Sequence, residues 1–268
     1  MTEHKTIKLK NYDAYYSFQD TNKPKVLFIH GFGGDHTRFI ELKEINKEYD
    51  LIAVDLPGRG KTQSTNKNKQ EFLPADYQEF IIDFIQTLNI KIDLVTSTSL
   101  GALTALYALD ANLIAKGLLF SPYNYVPNPK ERNEILQNYL IPENELIAKL
   151  SILDLTINRK KDFLEKLDAI TIGIMNNKTF NETTFKKFVR MLVDEKFVNE
   201  TVKPLYIRNA KKIVIANADH DFYIPLTNVK ILCQELKIKL HEVPFAGHLI
   251  FADNPIECNR LINLYIKK

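Results

Sequence analysis

Ile92-Asp93-Leu94-Val95-Thr96-Ser97-Thr98-Ser99-Leu100-Gly101-Ala102 changes character halfway along. Ile92–Val95 is an apolar run of the kind found in strands buried on both faces of a parallel sheet. Leu103–Leu109 beyond it reads as helix, so Ser97–Gly101 occupies a strand-to-helix turn. A serine on such a sharp turn is held in a strained backbone conformation with its hydroxyl exposed. The turn is tight enough to need small residues two before and two after that serine, and Ser97 and Gly101 flank Ser99 in this way. Ser97 itself falls inside the strand, which makes Ser99 the candidate nucleophile. The helix that begins here aims backbone N–H groups and positive dipole at the same point. Taken alone, the Ser/Thr cluster is also ordinary turn composition.

The strand pattern recurs on either side, at Val26–Ile29, Leu51–Val54, Gly117–Phe120 and Ile213–Ala216. Between the second of these and the Ser99 segment, Tyr77, Phe80, Ile81, Phe84, Ile85 and Leu88 recur at helical spacing and predict a helix over Ala75–Leu88. Thr6–Lys10 and Ala14–Phe18 read as an opening hairpin, Lys239–Val243 as a last strand and Pro255–Ile266 as a closing helix. Strands alternating with helices predict an α/β fold, a mostly parallel sheet covered on both sides. The alternation stops between Ser121 and Asn199, where amphipathic segments such as Phe185, Phe188, Val189, Leu192 and Phe197 follow four prolines. We expect a core of residues 1–120 and 200–268 interrupted by a helical cap of residues 121–199, placed over the sheet edge where ligands bind.

Composition narrows the function classes. The 268 residues carry 36 basic and 33 acidic side chains, a net charge of +3, and the basic pairs are scattered among acids, so nucleic-acid binding is not expected. Cys233 and Cys258 have no metal-ligand spacing and are too few for a disulfide framework. Residues 1–10 lack the apolar stretch of a secretory signal, and no run is long enough to span a bilayer, so a cytoplasmic location is expected. Nothing in the sequence speaks to oligomeric state.

Further motifs follow other strands. His30-Gly31-Phe32-Gly33-Gly34 comes directly after Val26–Ile29; glycines there turn the chain sharply and free backbone N–H groups to bind an anion. No Gly-x-Gly-x-x-Gly or Gly-Lys-Ser/Thr pattern is present to make it a phosphate loop. Asp55-Leu56-Pro57-Gly58-Arg59-Gly60-Lys61-Thr62 follows Leu51–Val54. Asp219-His220-Asp221-Phe222-Tyr223-Ile224-Pro225 follows Ile213–Ala216, and Phe245-Ala246-Gly247-His248 follows Lys239–Val243.

Together these motifs resemble the α/β-hydrolase family, in particular its esterase- and lipase-like members with a helical lid. The resemblance spans roughly residues 20–120 and 205–268. Ser97 stands where the family's Gly-x-Ser-x-Gly elbow has its first glycine, and Ala218 stands where its Gly-x-x-Asp-x-x-x-Pro acid loop has one. The resemblance implies a triad of Ser99, Asp221 and His248 in the family's chain order, with Asp219 as an alternative acid. It also implies an oxyanion hole made by the N–H groups of Phe32 and Leu100, a structural role for His30, and a structural Asp55–Thr62 turn. His241 lies within a predicted strand and is not a candidate base. Asp219-His220-Asp221 lacks a second histidine at ligand spacing, so no metal is expected. No cofactor is implied either.

The chemistry that follows is hydrolysis of a small-molecule carboxylic ester through an acyl-enzyme. A carbon–carbon bond hydrolase or thioesterase with the same triad, and a non-catalytic ligand-binding protein on this fold, remain as alternatives. A serine at the elbow argues against relatives with an aspartate nucleophile, and Leu100 replaces the tryptophan typical of proline-iminopeptidase-like members. The Phe, Leu, Ile and Met content of the cap predicts an apolar pocket wall, although amphipathic helices must bury such side chains in any case.

Overall fold

The computed structural model describes residues 2–42, 45, 47–159 and 161–267. The chain opens with the expected hairpin, β1 (Glu3–Lys8) and β2 (Tyr12–Phe18), paired antiparallel. Strands β3 (Lys25–Ile29) and β4 (Asp50–Val54) follow, and a two-residue β5 (Gln63–Ser64) pairs with β2. Then come α1 (Pro74–Leu88), β6 (Leu94–Ser99), α2 (Gly101–Asp110) and β7 (Gly117–Pro122). Every residue of β4 and β7 is buried, as continuous apolar runs in a two-sided sheet require.

Four helices succeed β7: α3 (Lys130–Leu140), α4 (Glu145–Leu153), α5 (Lys161–Asn176) and α6 (Lys178–Met191). A short α7 (Glu195–Phe197) runs through a π turn into α8 (Lys203–Asn209), so the helical run continues past residue 199 and α8 packs on α2. Among the described residues no strand interrupts this stretch. The α/β alternation then resumes with β8 (Ile213–Ala218), α9 (Leu226–Leu236), β9 (Lys239–Val243), α10 (Ile250–Asp253) and α11 (Pro255–Ile266).

The sheet has the order β1-β2-β4-β3-β6-β7-β8-β9, with β4, β3, β6, β7, β8 and β9 mutually parallel and the β1–β2 end, with β5 beside β2, antiparallel. Phe80 and Phe84 of α1, Leu103 and Leu106 of α2, and Tyr206 of α8 are buried on one side. Phe39, Phe251, Leu261 and Ile262 bury the other. Both cysteines are buried and unpaired. No helix among the described residues is long and apolar enough to cross a membrane.

Candidate active site

Ser99 is the last residue of β6 and has φ +51°, in the left-handed region. The β6–β7 register slips between Thr98 and Ser99, and the Ser99 carbonyl accepts from Tyr123 N at 3.0 Å, which fixes the distorted corner from the neighbouring strand end. Glycine is required at position 101, because a β-carbon there would lie 2.5 Å from His30 O and 2.6 Å from Ile29 O. Gly31 is equally constrained: its β-carbon would fall 2.9 Å from Ser99 Cβ. The His30–Gly34 loop therefore lies directly against the serine. Ser97 is fully buried with no hydrogen-bond partner for its hydroxyl among the described residues, whereas Ser99 lines a cavity of about 460 Å3.

His30 shows how the loop is held. It is fully buried, its Nδ1–H donates to Gly31 O at 2.8 Å and its Nε2 accepts from Leu56 N at 3.0 Å. An Nε2 that accepts from an amide must be unprotonated, and burial pushes the imidazole pKa down to about 4. His30 thus ties the loop to the Asp55–Thr62 turn. Asp55 in turn accepts from His36 N, His36 Nδ1 and Lys61 N at 2.7 to 2.9 Å. Asp35, His36 and Asp55 come close enough to suggest metal ligands, but these N–H donors occupy Asp55 and the backbone and hydroxyl of Thr37 occupy Asp35. The cluster reads as a turn scaffold. After Gly31 the loop leaves the Phe32 N–H without an acceptor among the described residues, and the Leu100 N–H is likewise unclaimed.

On the far side of β7, Asp221 and His248 meet. Both oxygens of the buried Asp221 carboxylate face His248 Nδ1, at 3.0 and 2.9 Å, and Ile224 N donates to one of them at 2.8 Å. Nδ1–H is thereby directed at the carboxylate, which leaves Nε2 as the ring nitrogen without a proton in the neutral imidazole. No hydrogen bond joins Ser99 to His248 among the described residues. In empty sites such bonds are commonly long and close when substrate binds.

Asp219 performs a different task from Asp221. It accepts from Phe245 N, Ala246 N and His220 Nδ1 at 2.8 to 3.1 Å, bracing the loop that carries His248. Burial opposes its charge, but these donors outweigh burial and hold its carboxyl below the usual range. His241 is occupied at the sheet edge, where its Nε2 meets the Tyr265 hydroxyl at 2.8 Å.

Two features of the histidine's surroundings have no sequence signal. The Tyr223 ring stacks on His248 at 4.7 Å, and its hydroxyl donates to Ser151 O of α4 at 2.8 Å. Asp253 accepts from Gly247 N at 2.7 Å, from Ile157 N at 3.3 Å and from the Thr156 hydroxyl, while Leu249 N donates to Leu155 O at 2.6 Å. The segment after α4 is thus bound to the His248 loop.

The cavity lies between the sheet edge and the inserted helices. Phe32 and Leu100 line it beside Ser99, with Leu140, Val189, Leu192 and Ile224 supplying apolar wall. Phe185 and Phe188 do not line it; they are buried against Phe32, Phe72 and Tyr77. Tyrosines and carboxamides, including Tyr123, Tyr125, Asn133, Gln137 and Asn199, make the rest of the lining more polar than the cap composition predicts.

Comparison with known proteins gives the same placement. The profile of the alpha/beta hydrolase family matches residues 26–261. A Haemophilus influenzae protein provisionally named an esterase/lipase is 24% identical, over 97% of this chain and 89% of its own. Among solved structures, a serine hydrolase from the polyaromatic-hydrocarbon-degrading bacterium Cycloclasticus zankles superposes with a TM-score of 0.80 at 17% identity, covering 100% of this chain and 98% of its own. A variant of a meta-cleavage product hydrolase reaches 0.78 at 17% identity, covering 98% and 97%. The corner at Ser99, the sheet order and the family match lead to one conclusion: the chain belongs to the alpha/beta hydrolase family.

Proposed function

We propose that this hydrolase is a serine esterase in which Ser99 attacks the carbonyl of a small carboxylic ester. The observation that carries the reading is Ser99 itself, held at a left-handed corner on the wall of a partly apolar cavity. Ser99 Oγ adds to the carbonyl carbon as His248 Nε2 takes its proton, and Asp221 holds the Nδ1–H and balances the imidazolium. The N–H groups of Phe32 and Leu100 receive the oxyanion; one such donor contributes about 3 kcal/mol of transition-state stabilisation. The alcohol leaves with the proton from His248, and water, activated by the same imidazole, cleaves the acyl-enzyme. Residues 121–199 serve as the cap that closes the cavity.

Labelling with a fluorophosphonate probe and turnover of a short p-nitrophenyl ester test the assignment together. Wild-type protein and Ser97→Ala should do both, and Ser99→Ala should do neither. Turnover retained in Ser99→Ala, or a folded wild type that resists the probe, overturns it; the second result favours a ligand-binding protein. The fold shared with a meta-cleavage product hydrolase keeps carbon–carbon bond cleavage by the same residues as a second reading. A vinylogous diketone substrate alongside the ester separates the two.

A further inference from the structure

Arg59 sits in the Asp55–Thr62 turn, where a basic side chain ordinarily points to water. Here its guanidinium is turned inward. Its carbon lies 4.0 Å from the centroid of the Phe185 ring and 4.6 Å from that of Phe32. Nη1 donates to Asn181 Oδ1 of α6 at 3.0 Å, while Nε and Nη2 are buried with no partner among the described residues. No carboxylate pairs with it among the described residues, and burial pulls its pKa down to about 10. A buried cation with two unmatched N–H groups is a poor stabiliser of a fold. Its contacts point to another role.

Phe32 carries an N–H proposed for the oxyanion hole, and its backbone is pinned on both sides. Before it, His30 Nδ1–H holds Gly31 O; after it, Gly34 N donates to Gly31 O at 3.2 Å. Those two bonds hold the carbonyl end of the planar Gly31–Phe32 peptide, and the Phe32 Cα at its amide end is anchored through the side chain. That side chain is held edge-on to Phe185 at 5.4 Å, with the Arg59 guanidinium over both rings. Ring faces carry the negative pole of the aromatic quadrupole and attract the cation in place of a carboxylate.

We propose that Arg59 is a positioning residue for the oxyanion hole: its guanidinium locks the Phe32 ring against α6 and so aims the Phe32 N–H at the developing oxyanion. The inference rests on the esterase reading of Ser99 and Phe32. Acting through Phe32, Arg59 touches no reacting atom. Its loss shifts a donor without removing it, so the effect should be smaller than deletion of an oxyanion donor.

Arg59→Met keeps the stem and removes the cation; Arg59→Lys keeps the charge and loses the flat face. In Arg59→Met, kcat on a p-nitrophenyl ester should fall about tenfold with KM within about twofold. A trifluoromethyl ketone analogue, which forms the oxyanion, should lose affinity by the same factor. Arg59→Lys should fall between, and it carries the test should the methionine variant not fold. A loss confined to melting temperature or KM, with kcat and analogue affinity as in wild type, overturns the inference. That outcome is distinct from failure of the esterase reading, which is reported by turnover surviving in Ser99→Ala.

Discussion

A left-handed backbone at a residue that carries a β-carbon stores roughly 1–2 kcal/mol of strain, and Ser99 has that backbone at φ +51°. Its neighbours sustain it: Gly101 admits the His30 carbonyl, and Tyr123 N holds the Ser99 carbonyl. This much was legible, because Gly101 and the Ser99 position both sit in one short motif. What Ser97 does was less so. It fills a small position at the expense of a buried hydroxyl with no partner, a detail that depends on packing from neighbouring strands. His30 carries a residue-scale prediction. Its folded pKa of about 4 lies below the ordinary 6.5, so the unfolded chain takes up the proton first. The stability it contributes is intact above pH 6.5 and is lost as pH falls toward 4. The slope is about 1.4 kcal/mol per pH unit, which gives roughly 3 kcal/mol across the window. Urea denaturation from pH 7 to pH 4 should show this loss in wild type and a flatter curve in His30→Gln; parallel curves would contradict it.

At the scale of elements, α6 illustrates both the strength and the limit of periodicity. Phe185, Phe188 and Val189 recur at helical spacing and are buried, as the spacing requires. The pattern says that a face is apolar without saying what it meets, and the two phenylalanines turn out to cover Phe32 and Tyr77 instead of walling the cavity. Similarly, β6 runs on to Ser99 because its ladder with β7 continues across the register shift, although its apolar run ends at Val95. The tie between the segment after α4 and the His248 loop had no signal at all, since Asp253 and Thr156 are far apart in the chain and meet only on folding. Asp253→Ala strands two amide N–H groups and one hydroxyl. Hydrogen bonds to a charged group contribute roughly 1.5–3 kcal/mol each, and donors that become exposed in the variant recover part of this from water. A net loss of about 2–4 kcal/mol, and about 2–4 °C of melting temperature per kcal/mol, is therefore expected. Because the same carboxylate braces Gly247, kcat/KM should fall along with stability. A melt and a kinetic assay on one preparation check both, and a variant indistinguishable from wild type would remove Asp253 from this role.

Over the whole molecule, a mostly parallel sheet with helices on both faces followed from the alternation of apolar runs and helical segments. Substrate preference did not, because the cavity is assembled from the end of β6, the loops after β3, β7 and β8, and residues of α3, α6, α7 and α9. Among the described residues its lining includes no lysine or arginine, and Glu195 is the one formal charge, even though the chain as a whole is +3. An ester with a negative charge near the scissile bond thus meets no counterion there, and charge taken from water without a partner is penalised. Paired p-nitrophenyl esters of equal length, one with a neutral acyl chain and one ending in a carboxylate, should differ in kcat/KM by about tenfold or more in favour of the neutral one. Equal rates, or a preference for the acid, would count against a neutral substrate.

Among the described residues of α5, a helix of sixteen residues, only Thr171 is buried. Leu164, Ile170 and Ile172 all remain exposed on it. A helix so lightly rooted is replaceable. Its contacts are with α4 and α6, so its sequence and length can drift with little penalty to the sheet. Change can therefore accumulate at α5 while the sheet and the Ser99 corner stay untouched.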